Sequence, residues 1–188
     1  MTTELTITQQ KIALRKQMRQ RKAAVTPEQK QAEADIVFKA VERLPQFVRA
    51  KRVLLYYSLP DELPTHHVLE RWHAMKEVYL PRVKGDDLEI VRYDGSLTDD
   101  NAFHIGEPQG KPVDFVPELV IVPAVALDMA CRRMGRGKGY YDRLLAQGEA
   151  FKVGVALQCQ LVDRVPCEAH DQPLDAVITA SHTLLRQP

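Results

Sequence analysis

Leu119-Val120-Ile121-Val122-Pro123 runs five residues without a polar side chain. A strand apolar on both faces must be covered on both, as in the centre of a parallel sheet. Arg52-Val53-Leu54-Leu55-Tyr56-Tyr57 and Val153-Gly154-Val155-Ala156-Leu157 have the same buried character. Glu77 to Pro81 and Asp175 to Thr179 read as shorter strands, and Leu88 to Tyr93 alternates like a half-buried one. A last strand is expected to reach Leu185. Helical patterns lie between them. One spans about residues 5 to 24. A second starts at Thr26-Pro27-Glu28-Gln29, a capping threonine, a proline suited to the first helical position and a glutamine completing a capping box, and stops before Pro45. Thr65 is expected to cap a third helix, to about Met75, and Tyr141 starts a fourth that ends near Gly148. Strands alternating with helices predict an α/β fold, a three-layer α/β/α arrangement with a mostly parallel central sheet. At 188 residues the chain is expected to form one domain over 1–188.

Met134-Gly135-Arg136-Gly137-Lys138-Gly139-Tyr140-Tyr141-Asp142 concentrates the chemistry. Alternating glycines let a backbone approach a ligand closely and aim several N–H groups at an anion. Arg136 and Lys138 add positive charge, and Asp142 adds a hard oxygen ligand suited to magnesium beside a phosphate. The stretch matches neither standard phosphate pattern. Lys138 is followed by Gly139 where a Walker loop has Ser or Thr, and Tyr140 stands where a dinucleotide fingerprint has its third glycine.

Other segments allow two readings. Lys11, Arg15, Arg19 and Lys22 form a basic stripe on the first helix, beside Leu14 and Met18 on the packed side. The stripe reads either as a solvated face or as a face toward an anion. Glu62 lies in the Pro-rich loop Ser58 to Pro64, just past a strand end where open α/β sheets bind ligands. It reads as a ligand contact or as an exposed loop acid. The irregular residues 94 to 117 are long enough to be functional. His66, His67 and His73 lack partners at metal-ligand spacing. Cys131, Cys159 and Cys167 do not make a disulfide framework. With 26 Lys+Arg against 25 Asp+Glu, no polyanion-binding surplus exists and nucleic acid is not expected as a partner. No apolar run is long enough to span a bilayer, and no leader pattern opens the chain, so a cytoplasmic protein without a membrane partner is expected.

Taken together these segments resemble the 5-formyltetrahydrofolate cyclo-ligase (5,10-methenyltetrahydrofolate synthetase) family over nearly the whole chain. The resemblance rests on Lys11-x-x-Leu14-Arg15, Asp61-Glu62-x-x-Thr65, Pro81-Arg82, Asn101-x-Phe103, Ile105-x-Glu107-Pro108, Val122-Pro123, and above all Gly135 through Asp142. Gln158, Pro166, His170-Asp171, Asp175 and Thr179 complete it. The chain departs from the family where Cys131 and His104 stand in place of glycine. The resemblance implies an ATP- and Mg2+-dependent enzyme that closes 5-formyltetrahydrofolate to 5,10-methenyltetrahydrofolate, releasing ADP and phosphate, and a monomer is expected. It implies catalytic roles for Arg136 and Lys138. It implies ATP contacts from Lys11, Arg15, Arg133, Met134, Gly135, Arg136, Gly137, Lys138, Gly139, Tyr140 and Tyr141, although Tyr141 reads equally as a packing residue. Tyr57, Glu62 and Arg136 through Tyr140 would border the folate. Asp142 and Asp171 would coordinate the metal, while Asp175 would orient that corner or simply begin a strand.

Similar three-layer folds host sugar-phosphate isomerases and CoA transferases that use no ATP. Such an enzyme, or a non-catalytic folate- or nucleotide-binding module, is the rival reading.

Overall fold

The structure, a computed structural model, describes residues 5–99 and 106–187. Asn101, Phe103, His104 and Ile105 therefore lie outside the described residues. Helices α1 (Ile7–Ala23) and α2 (Pro27–Glu42) open the chain. Each begins with a complete capping box, Thr6 with Gln9 and Thr26 with Gln29. A short α3 (Pro45–Arg49) leads into β1 (Arg52–Leu54), followed by α4 (His66–His73), β2 (Glu77–Lys84) and β3 (Asp87–Arg92).

The 94–117 region carries the short strands β4 (Leu97–Thr98), β5 (Glu107–Pro108) and β6 (Pro112–Val113). Then come β7 (Leu119–Pro123), β8 (Ala126–Asp128), β9 (Arg133–Met134), α5 (Tyr140–Leu145), β10 (Phe151–Val155), β11 (Leu161–Val162), β12 (Ala176–Ile178) and β13 (Thr183–Leu185).

The main sheet runs β13-β12-β10-β7-β1-β2-β3-β6. Pairings from β12 through β2 are parallel, and the strands at both edges are antiparallel. The all-apolar β7 sits between β10 and β1, as a strand covered on both faces should. Side chains alternate between two cores. Val53, Leu119, Ile121, Val153 and Ile178 face α2, α3 and α4, with Phe38 and Trp72 buried among them. Leu54, Val120, Val122 and Val177 face the other way, onto Leu144 and Leu145 of α5 and onto Leu127, Cys131 and Leu174.

Helical cover is thus uneven. α5 is the one helix on the second face among the described residues, and irregular chain completes the layer. A second sheet, β11-β8-β9, packs against α1 through Met18, Val125, Ala126 and Met134. It has no counterpart in the sequence reading, because its strands are two or three residues long and carry no periodicity.

Two local expectations change. Thr65 starts α4 but does not cap it by hydrogen bond. Its hydroxyl donates to Tyr56 O at 2.7 Å and accepts from Ser58 N at 3.0 Å, so it closes the preceding loop. β1 stops at Leu54 and not at Tyr57, which leaves Tyr56 and Tyr57 free of the ladder. Cys131 has φ +57°, the left-handed region that favours glycine. That explains why this turn suits glycine in the related pattern. Its side chain is nonetheless buried in the second core.

Candidate active site

A cavity of about 900 Å3 lies past the carboxyl ends of the parallel strands, where open α/β sheets bind ligands. Tyr56 and Tyr57, beyond β1, and Pro123 to Val125, at the end of β7, line its base. Lys11 and Arg15 enter from α1, Glu62 from the loop after β1, and Asp171 from the loop after β11. Arg133, Met134, Gly135, Arg136, Gly137, Lys138, Gly139, Tyr140, Tyr141 and Asp142 form a continuous wall. Apolar surface from Pro81, Val83 and Leu88 of β2 and β3 faces it. Every residue given an ATP-binding, folate-binding, catalytic or metal role from the sequence therefore lines one cavity, although they span 160 positions between Lys11 and Asp171, whereas Asp175 does not.

The glycine wall is shaped by what touches it. Gly137 has φ +103° and Gly139 has φ +69°, conformations that side-chain-bearing residues rarely adopt. Arg15 Nε donates to Gly135 O at 3.0 Å, so a cation from α1 holds the loop backbone in place. Arg143, one turn into α5, donates to Asp87 at 2.8 Å and to Lys138 O at 3.1 Å, tying the wall to the β2–β3 turn. Lys138 is exposed, and its ammonium has no hydrogen-bond or ion-pair partner among the described residues.

Charged groups of opposite sign meet around the cavity. Glu62 is held by its own loop, where Oε2 accepts from Leu59 N at 3.0 Å. The loop is closed at its base by reciprocal bonds between Ser58 and Thr65, and by Tyr56 Oη donating to Leu63 O at 2.8 Å. Glu62 Oε1 accepts from Arg136 Nε at 3.1 Å and from Nη2 at 3.0 Å. Arg136 also donates to Asp61, whose other oxygen binds Lys22. Burial pushes the Asp61 carboxyl up, but the bonds from Lys22 and Arg136 outweigh it and hold it below the ordinary aspartate value.

Asp142 Oδ1 accepts from the buried Arg133 at 2.8 Å and from Gln172 N at 3.3 Å. Asp171 Oδ2 accepts from Lys11 at 2.6 Å and from Glu168 N at 2.7 Å, and Glu168 also pairs with Lys11. Burial pulls the Lys11 ammonium down, yet its two carboxylate partners leave it above the usual lysine value. The basic stripe of α1 is thus divided. Lys11 and Lys22 are buried in ion pairs, Arg15 holds the glycine wall, and Arg19 faces solvent.

Among the described residues no three His, Cys, Asp or Glu side chains gather into a metal cage. Asp142 and Asp171 each keep one carboxylate oxygen outside the bonds just described. Magnesium is commonly held by one or two carboxylates plus substrate phosphates and water. The donor set therefore fits a magnesium–nucleotide and not a dedicated protein site. His66 stacks on Tyr57 with centroids 4.1 Å apart, and His73 packs edge-on against Tyr93. Tyr141 packs onto the second core and also lines the cavity. Asp175 accepts from Lys152 N at 2.8 Å beside β10, a strand-edge role away from the cavity.

Asp61, Lys22, Glu168 and Arg143 were not nominated as site residues. Asp61 adjoins Glu62, and Glu168 lies three positions before Asp171. Lys22 stood in the basic stripe and Asp61 in the Asp61-Glu62-x-x-Thr65 pattern, whereas Glu168 and Arg143 offered only proximity in sequence to Asp171 and Asp142.

The model of the 5-formyltetrahydrofolate cyclo-ligase family matches residues 7–180. The chain is 36% identical over 176 residues to 5-formyltetrahydrofolate cyclo-ligase of Escherichia coli (strain K12), covering 87% of this chain and 97% of that one. It is 33% identical to the Haemophilus influenzae protein of the same name, covering 89% and 96%. The NMR structure of Aquifex aeolicus 5,10-methenyltetrahydrofolate synthetase superposes with a TM-score of 0.84 at 32% identity, covering 95% and 93%.

Proposed function

The chain belongs to the 5-formyltetrahydrofolate cyclo-ligase family, and on that premise we propose that it uses ATP to close 5-formyltetrahydrofolate to 5,10-methenyltetrahydrofolate. Ring closure must expel an oxygen from an N-formyl group, a poor electrophile with hydroxide as a poor leaving group. Transfer of the γ-phosphoryl group to the formyl oxygen forms an O–P bond and releases ADP. N10 then attacks the activated carbon and loses its proton, and the C–O bond breaks to release phosphate. Bound magnesium would neutralise phosphate charge during the transfer.

Phosphoryl transfer asks a protein mainly for positioning and charge. The observation that carries the reading is that a cationic glycine wall and the carboxylate of Glu62 line one cavity. Lys138 and Arg136 offer charge to the transferring group, and the Gly135–Gly139 backbone gives close access. Lys11 and Arg15 approach from α1 and would hold nucleotide phosphates, beside Arg133, Met134, Tyr140 and Tyr141. Glu62 suits the amino-pyrimidine edge of a pterin, since a carboxylate accepts two parallel hydrogen bonds. Tyr57, steadied by His66, gives that pterin a flat wall. Asp142 and Asp171 would hold the metal.

Family membership sets aside the isomerase, transferase and non-catalytic readings. The test is direct. Protein, 5-formyltetrahydrofolate, ATP and Mg2+ are mixed and the absorbance of the methenyl product is followed, with each component omitted in turn. Product that forms equally without ATP, or no product at all, would overturn the proposal.

A further inference from the structure

Lys22 lies at the far end of α1 with only 7% of its side chain exposed. A shielded ammonium needs a counter-charge. Among the described residues the carboxylate it meets is Asp61, through Oδ2. Asp61 is therefore anchored on one side. Its other oxygen, Oδ1, accepts from Arg136 Nη2 at 2.5 Å. Neither Lys22 nor Asp61 lines the cavity, whereas Arg136 and Glu62 both do. Two adjacent carboxylates thus grip one guanidinium, and only Asp61 is itself tied to a buried cation.

We propose that Asp61, anchored by Lys22, is a positioning residue that keeps Arg136 at the cavity mouth when Glu62 turns to another ligand. The inference rests on the reading of Arg136 and Glu62 as substrate-handling groups. Glu62 Oε2 is already occupied by Leu59 N, and Oε1 carries the arginine. An amino-pyrimidine edge bound to Glu62 competes with Arg136 for Oε1. A phosphate bound to Arg136 competes with Glu62 in the same way. Asp61 Oδ1 remains and holds a side chain that would otherwise regain its rotamer freedom. Lys22 gives this hold a second property. Its charge balances that of Asp61, so the Lys22–Asp61 pair fixes the guanidinium without cancelling its attraction for a phosphate.

The test removes the anchor as a unit. Asp61→Asn alone leaves a shielded ammonium unpaired and could unfold the protein. Lys22→Met/Asp61→Asn removes both charges together, and its thermal midpoint checks the fold. In the Arg136 enzyme this double variant should lower kcat/KM about tenfold, the scale of one coupled charge contact. In an Arg136→Ala background it should cost nothing further. In a Glu62→Ala background, where the guanidinium no longer has Glu62 as a partner, the Arg136 Nη2–H protons that donate to Asp61 should exchange slowly with water, and faster once the double substitution is added. Equal losses in both backgrounds, or no loss in either, overturn the proposal. Should the parent protein make no methenyl product, the functional reading fails. The Nη2–H exchange then decides alone, and an unchanged rate overturns the positioning role.

Discussion

At the residue scale the cations divide by partner. Lys11, Arg133 and Arg136 are each met by carboxylates, whereas the Lys138 ammonium is unmatched among the described residues. An exposed cation on a glycine wall is well placed to meet charge that develops only in a transition state. Lys138→Ala is therefore expected to lower turnover by about 10^2-fold or more, the effect of losing one preorganised electrostatic contact. Turnover within twofold of the parent enzyme would remove Lys138 from the chemistry. Asp61 supplies a pH prediction. Burial raises its folded-state carboxyl but the bonds from Lys22 and Arg136 hold it below the ordinary aspartate value, so its ion pairs are intact throughout the range above that value. Their contribution is lost as pH falls through the folded-state value, since depressed acids stabilise only while ionised. The Asp61 carboxyl-carbon NMR shift should titrate below the ordinary aspartate range, and Lys22→Met should move that midpoint upward. An unmoved midpoint would show that Lys22 does not hold this carboxylate.

At the element scale the second face of the sheet has little helix and depends on close fits instead. A Cβ placed on Gly154 of β10 would lie 2.3 Å from Leu174 Cδ1 and 3.1 Å from Leu127 Cδ2. Leu174 is wholly buried and cannot simply turn away to solvent. Gly154→Ala is expected to destabilise the fold by about 1–3 kcal/mol, the usual range for overpacking. Urea denaturation checks this, and a midpoint at or above that of the parent would contradict the packing argument. The β-pattern of Val153 to Leu157 announced a buried strand. It could not announce that one position accepts no side chain, because the clashing atoms come from residues 20 and more positions away. The β11-β8-β9 sheet was illegible for a related reason. Strands of two or three residues are defined by their partners, not by a repeating pattern.

Across the whole molecule, α1, the loop after β1, the glycine wall and the loop after β11 converge on one cavity. A nucleotide bound there should link these segments and stabilise the folded protein by mass action, about 2.7 kcal/mol at a hundredfold excess over Kd. Magnesium should enlarge the effect. ADP with Mg2+ is expected to raise the thermal midpoint more than ADP with a chelator. Asp142→Asn and Asp171→Asn should each shrink the difference. An equal shift with and without Mg2+ in the parent protein would argue against metal ligation by these acids. The amino-acid sequence alone determined the apolar central strands, the capped start of the second helix, the largely parallel sheet and the glycine-cation motif. Each is written in local periodicity or in adjacent residue types, and backbone physics acts on those directly. Tertiary structure alone decided which charges meet. Lys11 and Asp171, or Lys22, Asp61 and Arg136, form ion pairs only because folding brings distant segments within 3 Å. Coulomb attraction depends on separation in space, which a linear sequence does not record.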